Sequence, residues 1–159
     1  MSHVHAVLER NIKNVMVLLS SSVKNNLTQV VVAVLKDSNN KILLSTRQHK
    51  TDFPDYLEFP GGKKEADETP RAALKRELKE ELGICIEDIQ AMESYTYQYD
   101  SFGVELYPFF IKSYKGSPVA NENEKIIWVD LQDLGKVKII PGSKSIAETL
   151  TNTLNKERS

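Results

Sequence analysis

The most constraining feature of this chain is a run of fixed positions between residues 62 and 84. Two glycines enclose the run, and one arginine and four glutamates lie between them at set intervals. The positions are Gly62, Glu68, Arg76, Glu77, Leu78, Glu80, Glu81, Gly83 and Ile84. Average composition would produce this pattern by chance, in a chain of this length, with a probability on the order of one in ten million. The pattern therefore indicates a local structure that serves a function.

Within this run the sequence predicts a helix from Pro70 to Leu82. Thr69 is a favourable N-cap, proline is favoured at the first helical position, and Gly83 is a typical helix stop. Because a helix turns about 100° per residue, three glutamates share one arc of roughly 100°, beside an apolar stripe. The arc consists of Glu77, Glu80 and Glu81, and the stripe of Leu74, Leu78 and Leu82.

The glutamate arc favours a metal site. Like charges one turn apart cost a helix roughly 0.2–0.5 kcal/mol per pair, so stability alone gives no reason to gather three. Carboxylate oxygens suit Mg²⁺, with Mn²⁺ as the other candidate, and a bound cation turns an acidic face into a polyphosphate site. The cation lowers the pKa of a bound water, and a nearby carboxylate can accept the proton. A solvated acidic face is the alternative, but it leaves the fixed register unexplained.

Three further features lie within the run or directly before it. Pro60-Gly61-Gly62 predicts a turn whose backbone angles only glycine tolerates. Arg76 precedes the carboxylates and can hold a glutamate in a bidentate pair, with Glu68 as a second partner. Lys63 follows the turn directly, and it either meets a phosphate or is an ordinary surface lysine.

The run resembles the Nudix box, the signature of hydrolases that cleave nucleoside diphosphates linked to another group. Leu57–Lys63 and Ile42–Arg47 resemble the MutT branch of that family, and the similarity extends over Gln29–Leu150. The resemblance implies the α/β (α+β) class and the Nudix fold, a mixed β-sheet sandwiched between α-helices. It also implies a hydrolase that uses Mg²⁺ to act on a nucleotide.

The resemblance implies roles for individual residues. The implied metal ligands are Gly61 (through its carbonyl), Glu77, Glu80, Glu81 and Glu122. The candidate catalytic residues are Arg76, Glu77 and Glu80. The candidate substrate-binding residues are Arg47, Phe59, Lys63, Tyr97 and Ser143. Glu77 and Glu81 are the preferred ligands and Glu77 the preferred general base, whereas Glu122 has the alternative role of a solvated loop residue.

One segment departs from the MutT pattern. Proteins of that branch that read purines have Pro-Ala-Asn before the last helix, whereas this chain has Pro141-Gly142-Ser143. A serine offers one hydroxyl in place of an amide donor and acceptor, and it is also a natural N-cap. The preference for an oxidised guanine is therefore not implied. Tyr95, Tyr97 and Tyr99 alternate along a predicted strand, where they either face a base or pack against the sheet.

Composition limits the other possibilities. With 21 basic and 22 acidic residues in 159, the chain has no excess of positive charge for nucleic acid or an acidic membrane. No segment reads as a signal peptide or a membrane span, and we expect a cytoplasmic protein. Cys85 is the sole cysteine, which excludes an internal disulfide. Its neighbours Ile84 and Ile86 predict a buried thiol.

The chain divides into two parts. Residues 1–26 predict an amphipathic helix, with apolar residues at three- and four-residue steps, and a linker over residues 20–26. The helix either packs on its own core or forms a dimer contact, so a monomer and a homodimer both remain open. The resemblance implies a Nudix domain over residues 27–159. Its other predicted elements are strands at Gln29–Leu35, Lys41–Thr46, Leu57–Phe59, Ala91–Tyr99, Val104–Lys112 and Ile126–Val129, and a helix at Ser143–Leu154.

The leading functional hypothesis is Mg²⁺-dependent hydrolysis of a (deoxy)nucleoside triphosphate to monophosphate and pyrophosphate. Its use would be to clear a modified or surplus nucleotide. Cleavage of dinucleoside polyphosphates is an alternative, since Tyr99 stands where some such enzymes place a tyrosine. A nucleotide-binding regulator without catalysis is a third reading. The intact box is an argument against it, because such regulators typically break the box.

Overall fold

The computed structural model describes residues 9–16, 27–122 and 124–159. Residues 9–16 form a helix, α1. Its apolar residues Ile12, Val15 and Met16 are each more than half exposed, so this part of the helix buries no apolar face in the single chain. The predicted linker and the remaining apolar positions of the amphipathic stripe lie outside the described residues. The dimer contact therefore stays a prediction.

Two β-sheets form the body of the domain. The larger sheet consists of β1 (Thr28–Val34), β4 (Gly61–Lys63), β5 (Cys85–Ala91), β6 (Tyr95–Gln98) and β7 (Gly103–Lys115). Its order is β4-β1-β7-β5, with β6 also paired to β7; only β1 and β7 run parallel. The smaller, antiparallel sheet has the order β3-β2-β8. Its strands are β2 (Lys41–Thr46), β3 (Leu57–Glu58) and β8 (Ile126–Asp130).

Two helices complete the domain, α2 (Pro70–Leu82) and α3 (Lys144–Arg158). Short 3₁₀ segments at Leu131–Lys136 and Pro141–Ser143 lead into α3. The predicted class, a mixed sheet with helices in an α+β arrangement, is confirmed. Within the described ranges, no helix is long and apolar enough to cross a membrane.

The core consists of two clusters, because side chains of β1 alternate between its two faces. Val31 and Ala33 pack with the apolar stripe of α2, which is fully buried at Leu74, Leu78 and Leu82. On the opposite face, residues of β1 pack with β2, the 3₁₀ segments and α3. At about 0.8 kcal/mol per buried CH₂, the leucine stripe holds α2 firmly on the sheet. The glutamate arc lies beside this stripe, and none of its three side chains belongs to the buried core.

The largest difference from the sequence-based prediction lies between residues 85 and 99. The sequence predicts one strand at Ala91–Tyr99, whereas the chain forms β5, a turn and then β6. Charged residues in β5 and a register shift near Asp88 hide its alternating pattern. Cys85 is exposed, so the predicted buried thiol is wrong. It is the neighbouring Ile84 that is buried, and Cys85 begins the strand on the outer face.

Candidate active site

The ends of α2 fix the helix in its register. The Thr69 hydroxyl accepts a hydrogen bond from the Ala72 amide at 3.2 Å, as the predicted N-cap requires. Gly83 has a φ of 69° and its N–H donates to the Lys79 carbonyl at 3.1 Å. Left-handed backbone of this kind favours glycine. Both predicted ends are confirmed, and they determine which side chains α2 turns toward β4.

Glu77 reaches β4 at Gly62. A Cβ atom added to Gly62 would lie 2.4 Å from Cδ of Glu77 and 2.5–2.6 Å from its two carboxylate oxygens. No real Cβ tolerates such distances, so the glutamate occupies the space that a side chain at position 62 would need. The glycine of the box is therefore explained by close approach of a carboxylate to the backbone.

Glu81, one turn further along α2, reaches the preceding residue of β4. The Gly61 amide donates to Oε2 of Glu81 at 3.0 Å. Gly61 has a φ of 148°, and a Cβ there would lie 2.0 Å from the Val31 carbonyl oxygen. Position 61 therefore admits only glycine on two separate grounds. The two adjacent glycines hold two carboxylates of the predicted arc against one short strand.

Arg76 organises the acidic residues at the start of the site. Its guanidinium forms a bidentate pair with Glu68, which the sequence predicted as a partner of Arg76 but not as the bidentate one. It also donates to Glu77 at 2.9 Å, to Glu80 at 3.4 Å and to the Lys63 carbonyl at 3.1 Å. The hydrogen bonds from Arg76 lower the pKa of Glu68 to about 2. Arg76 thus ties the segment after β4 to the helix.

The three glutamates of the arc have different environments. Burial raises the pKa of Glu81 to about 7. The hydrogen bond from the Gly61 amide lowers this pKa, whereas the nearby carboxylates of Glu58, Glu122 and Glu77 raise it. Burial also raises the pKa of Glu77, against the effect of Arg76. The Glu80 side chain, by contrast, is 56 % exposed and contacts Arg76 at the edge of the site. The structure therefore brings Glu77 and Glu81 inward and leaves Glu80 at the surface.

A small acidic pocket of about 40 Å³ adjoins Glu81 and Gly61. The predicted ligand Glu122 lines it, and so do Glu58 of β3 and Glu124, which the sequence reasoning missed. Glu58 is part-buried and paired with Arg47, and burial raises its pKa. Glu58 belongs to the segment Leu57–Lys63 that resembles the MutT branch, and that position was the available signal.

The residues around this pocket fit a divalent cation of the magnesium type. Within residues 9–16, 27–122 and 124–159, no three His, Cys, Asp or Glu side chains are arranged to hold a metal ion between them. Magnesium does not need such a cage, since it is bound through one or two carboxylates and completed by water and phosphate oxygens. The buried carboxylate of Glu81, unfavourably charged among Glu58, Glu77 and Glu122, is the donor that a cation would relieve.

A second, larger cavity of about 690 Å³ lies on the other side of Gly61. Four of the five candidate substrate-binding residues line it: Arg47, Phe59, Lys63 and Ser143. The fifth, Tyr97, lies instead on a separate groove beside α3. The cavity also borders valines of β1, and an aromatic cluster lies at one side of it. It has a size and a mixed lining typical of small-molecule sites.

The buried side chain of Arg47 forms part of the lining of this cavity. Its guanidinium pairs with Glu58 and donates to the Asp52 carbonyl at 3.0 Å, and it also contacts the Asp52 carboxylate at 3.2 Å. Its Nε is buried and has no hydrogen-bond partner among the described residues. The arginine is thus held in place by the protein, with one donor left unpaired.

Tyr99, which the candidate set does not include, is the tyrosine that borders the larger cavity. Its hydroxyl accepts from the Gly142 amide at 2.9 Å, and its ring stacks on Phe102 with centroids 4.8 Å apart. A Cβ at Gly142 would lie 2.6 Å from that hydroxyl oxygen. Ser143 stands at the N-cap position of α3 but makes no capping hydrogen bond through its side chain, so the predicted capping role is wrong. The preceding 3₁₀ turn, held by Tyr99, orders this end of α3 instead.

The two cavities meet at a common wall. Lys50, Glu58 and Gly61 line both of them. A molecule in the larger cavity that extends past Gly61 therefore arrives beside Glu81 and Glu122. Apolar and aromatic contacts lie on one side of the wall and carboxylates on the other. With a cation bound to these carboxylates, the two sides would suit a ligand with a flat ring at one end and a phosphate chain at the other.

Comparison with known proteins places this geometry in a family. The NUDIX domain model matches residues 26–151. The 8-oxo-dGTP diphosphatase of Haemophilus influenzae is 32 % identical over 124 residues, covering 78 % of this chain and 91 % of that protein. The CTP pyrophosphohydrolase of Escherichia coli is 30 % identical over 118 residues, covering 74 % of this chain and 87 % of the relative.

Solved structures agree with the sequence comparison. A MutT structure, from work on the Aliivibrio salmonicida and Vibrio cholerae proteins, superposes with a TM-score of 0.69 at 25 % identity. It covers 79 % of this chain and 98 % of that chain. The ORF135 protein of Escherichia coli gives a TM-score of 0.68 at 29 % identity, with coverages of 77 % and 87 %. This chain belongs to the Nudix family and is a MutT-like Nudix hydrolase.

Proposed function

We propose that the protein hydrolyses a (deoxy)nucleoside triphosphate to the monophosphate and pyrophosphate, in a reaction that requires Mg²⁺. The observation that carries this proposal is the common wall of Lys50, Glu58 and Gly61 between the aromatic-lined cavity and the acidic pocket. The nucleoside would occupy the larger cavity. The phosphate chain would then cross Gly61 toward the carboxylates of α2.

The protein residues supply positioning and charge. Lys63 lines the larger cavity beside the glycine turn, and Lys50 lines both cavities, so each can meet a phosphate oxygen. Gly61, Glu77, Glu81 and Glu122 are the groups that would hold Mg²⁺. When bound, Mg²⁺ neutralises phosphate charge and makes an attacking water more acidic. Glu77, whose carboxylate accepts a hydrogen bond from Arg76 at 2.9 Å, would accept the proton of the attacking water.

The relatives named above differ in the base of the nucleotide that their names give. The similar proteins include both 8-oxo-dGTP diphosphatases and a CTP pyrophosphohydrolase. This chain offers two hydroxyls near the start of α3, those of Tyr99 and Ser143, and hydroxyls can either donate or accept. We therefore propose clearance of a modified or surplus nucleotide, with the base to be identified by direct comparison.

The test is a nucleotide panel with product analysis. Common and oxidised (deoxy)nucleoside triphosphates, CTP and a dinucleoside tetraphosphate would be incubated with Mg²⁺ or Mn²⁺, and pyrophosphate would be measured separately from orthophosphate. We expect monophosphate and pyrophosphate in equal amounts from at least one triphosphate. Glu77→Gln should abolish this turnover, whereas Glu157→Gln on the exposed end of α3 should not change it. Absence of pyrophosphate from every triphosphate, with either metal, would reject the proposal.

A further inference from the structure

The loop between β7 and β8 carries two glutamates, Glu122 and Glu124, that both line the acidic pocket with Glu81 but have different partners. Glu122 is exposed. Glu124, two residues later, is part-buried and reaches the segment that follows β2. One short loop therefore contacts both the proposed metal site and the chain that enters the nucleotide cavity.

Glu124 uses both carboxylate oxygens in these contacts. Oε2 accepts hydrogen bonds from the Thr46 hydroxyl at 2.7 Å and from the Gln48 amide at 2.9 Å. Oε1 accepts from the His49 amide at 2.7 Å. Bonds of this kind to an ionised acceptor are stronger than those between neutral groups. Since Gln48 and His49 lie on the surface, the carboxylate is what protects their amides from water.

Backbone groups form further hydrogen bonds between the β7–β8 loop and the end of β2. The Thr46 amide donates to the Lys125 carbonyl at 2.8 Å, and the Lys125 amide donates to the Thr46 hydroxyl at 2.9 Å. The Thr46 hydroxyl thus donates to Glu124 and accepts from Lys125 at once. Two segments separated by more than seventy residues in sequence are joined here by a network with every donor paired.

The segment held by Glu124 carries two residues of the nucleotide cavity. Arg47 lines the larger cavity, and Lys50, whose amide donates to the Arg47 carbonyl at 2.9 Å, lines both cavities. Arg47 is fixed further by Glu58 and Asp52. The turn from Thr46 to Lys50 therefore has its backbone held by Glu124, and two of its side chains, Arg47 and Lys50, line the proposed substrate cavity.

We propose that Glu124 is a positioning residue that couples the loop bearing Glu122 to the nucleotide-binding turn Thr46–Lys50. Both of its carboxylate oxygens are occupied by donors of this turn, and it acts through Arg47 and Lys50. The proposal rests on the proposed function for its kinetic readout. Its structural readout, protection of two backbone amides, is independent of turnover. The coupling predicts that nucleotide binding and metal binding support each other through this loop.

The first experiment compares Glu124→Gln with Glu87→Gln, which removes an exposed charge on β5. A glutamine has one acceptor oxygen and one donor nitrogen, so it cannot satisfy the same three donors. We expect the amides of Gln48 and His49 to exchange with solvent at least tenfold faster in Glu124→Gln. Protection elsewhere in β2 and β8 should persist, and Glu87→Gln should match the wild type. Unchanged exchange at both amides would overturn the proposal.

The second experiment separates positioning from simple stability. For Glu124→Gln we expect the KM for the nucleotide to increase about tenfold, and kcat at saturating nucleotide and Mg²⁺ to stay within about threefold. Binding of a non-hydrolysable nucleotide in EDTA should weaken by a similar factor. Glu87→Gln should leave this metal-free binding unchanged. A lower melting temperature with unchanged KM and unchanged metal-free binding would show a merely structural role.

A third variant tests the proposal in case Glu124→Gln does not fold. Thr46→Val removes the hydroxyl that joins Glu124 to Lys125 but keeps the shape of the side chain. It should show the same direction of change in amide exchange and in metal-free nucleotide binding. If no triphosphate is hydrolysed by the wild type, the proposed function fails, while the exchange and binding measurements still decide the role of Glu124. Normal exchange and binding in Thr46→Val would contradict the coupling.

Discussion

Position 62 shows how little space the active site leaves for a single methyl group. A Cβ there would overlap the Glu77 carboxylate at 2.4–2.6 Å, so Gly62→Ala must displace the glutamate or open β4. We expect kcat to fall by about tenfold or more, with a smaller effect on the melting temperature. Gly135→Ala is the matched control, since a Cβ at Gly135 meets no atom within 4 Å. Equal kinetics for the two variants would contradict the close approach described for Glu77.

The contact between Gly142 and Tyr99 allows a second residue-level prediction. Gly142→Ala places a Cβ 2.6 Å from the Tyr99 hydroxyl oxygen and should push the ring toward the larger cavity. Tyr99→Phe removes the hydrogen bond from the Gly142 amide but leaves the ring seated. We expect Gly142→Ala to change the ratio of kcat/KM between two nucleotides at least fivefold, and Tyr99→Phe to change it less. A constant ratio in both variants would mean that Tyr99 does not contribute to base preference.

Sequence reasoning succeeded at residues whose partners are close along the chain. The pair of Arg76 with Glu68 and the two ends of α2 depend on spacings of a few residues, and each is confirmed. It failed where the partner comes from a distant segment. Glu58 and Tyr99 gain their positions from tertiary contacts, and no local pattern shows that Gly142 leaves space for a tyrosine forty-three residues away.

At the level of elements, α2 presents its carboxylates unequally. The sequence groups Glu77, Glu80 and Glu81 in one arc, whereas docking of the helix on β4 turns Glu80 outward. We expect Glu81→Gln to lower kcat by at least 100-fold, because Glu81 is the buried donor beside Gly61. Glu80→Gln should cost less than about tenfold. Steady-state kinetics at saturating Mg²⁺, with circular dichroism to verify folding, would measure both. A larger loss for Glu80→Gln would place the metal on the outer side of the helix.

The elements themselves were predictable to different degrees. The helices and the buried strands β1 and β2 follow from strong periodicity and clear end signals. The pairing of β1 with β7 did not follow, because a parallel neighbour seventy residues later leaves no mark in either strand. Strand pairing also decides the position of Tyr97, a predicted substrate-binding residue. Tyr95, Tyr97 and Tyr99 occupy every second position as predicted, but β6 pairs with β7 and Tyr97 lines the groove beside α3.

For the whole molecule, the buried Glu81 predicts a dependence of stability on pH. Its pKa is about 7 in the folded chain and about 4.5 in the unfolded chain. Between these values the folded state holds a proton that the unfolded state releases, so the free energy of unfolding falls as the pH rises from 4.5 to 7. In EDTA we expect the melting temperature to be roughly 5 °C lower at pH 8 than at pH 5.

Two comparisons test this pH dependence. Glu81→Gln removes the titrating group, so it should reduce the difference in melting temperature between pH 5 and pH 8. Mg²⁺ should raise the melting temperature more at pH 8 than at pH 5, because its ligands must be deprotonated to bind it. Differential scanning calorimetry with and without Mg²⁺ gives all four values. A wild-type melting temperature that rises with pH in EDTA would contradict the assignment of Glu81 as a buried, unfavourably charged group.

The thirteen-residue strand β7 is the member of the larger sheet that pairs with β1, β5 and β6 alike. It also supplies Phe109 and Ile111 to the cluster beneath α2. During synthesis on the ribosome, β1, the glycine turn and α2 all emerge before the strand that joins them. The carboxylates of α2 therefore have no complete support until residues 104–111 have been translated. A chain stalled before that point would contain all the glutamates of α2 but would lack the strand that completes the sheet beneath the helix.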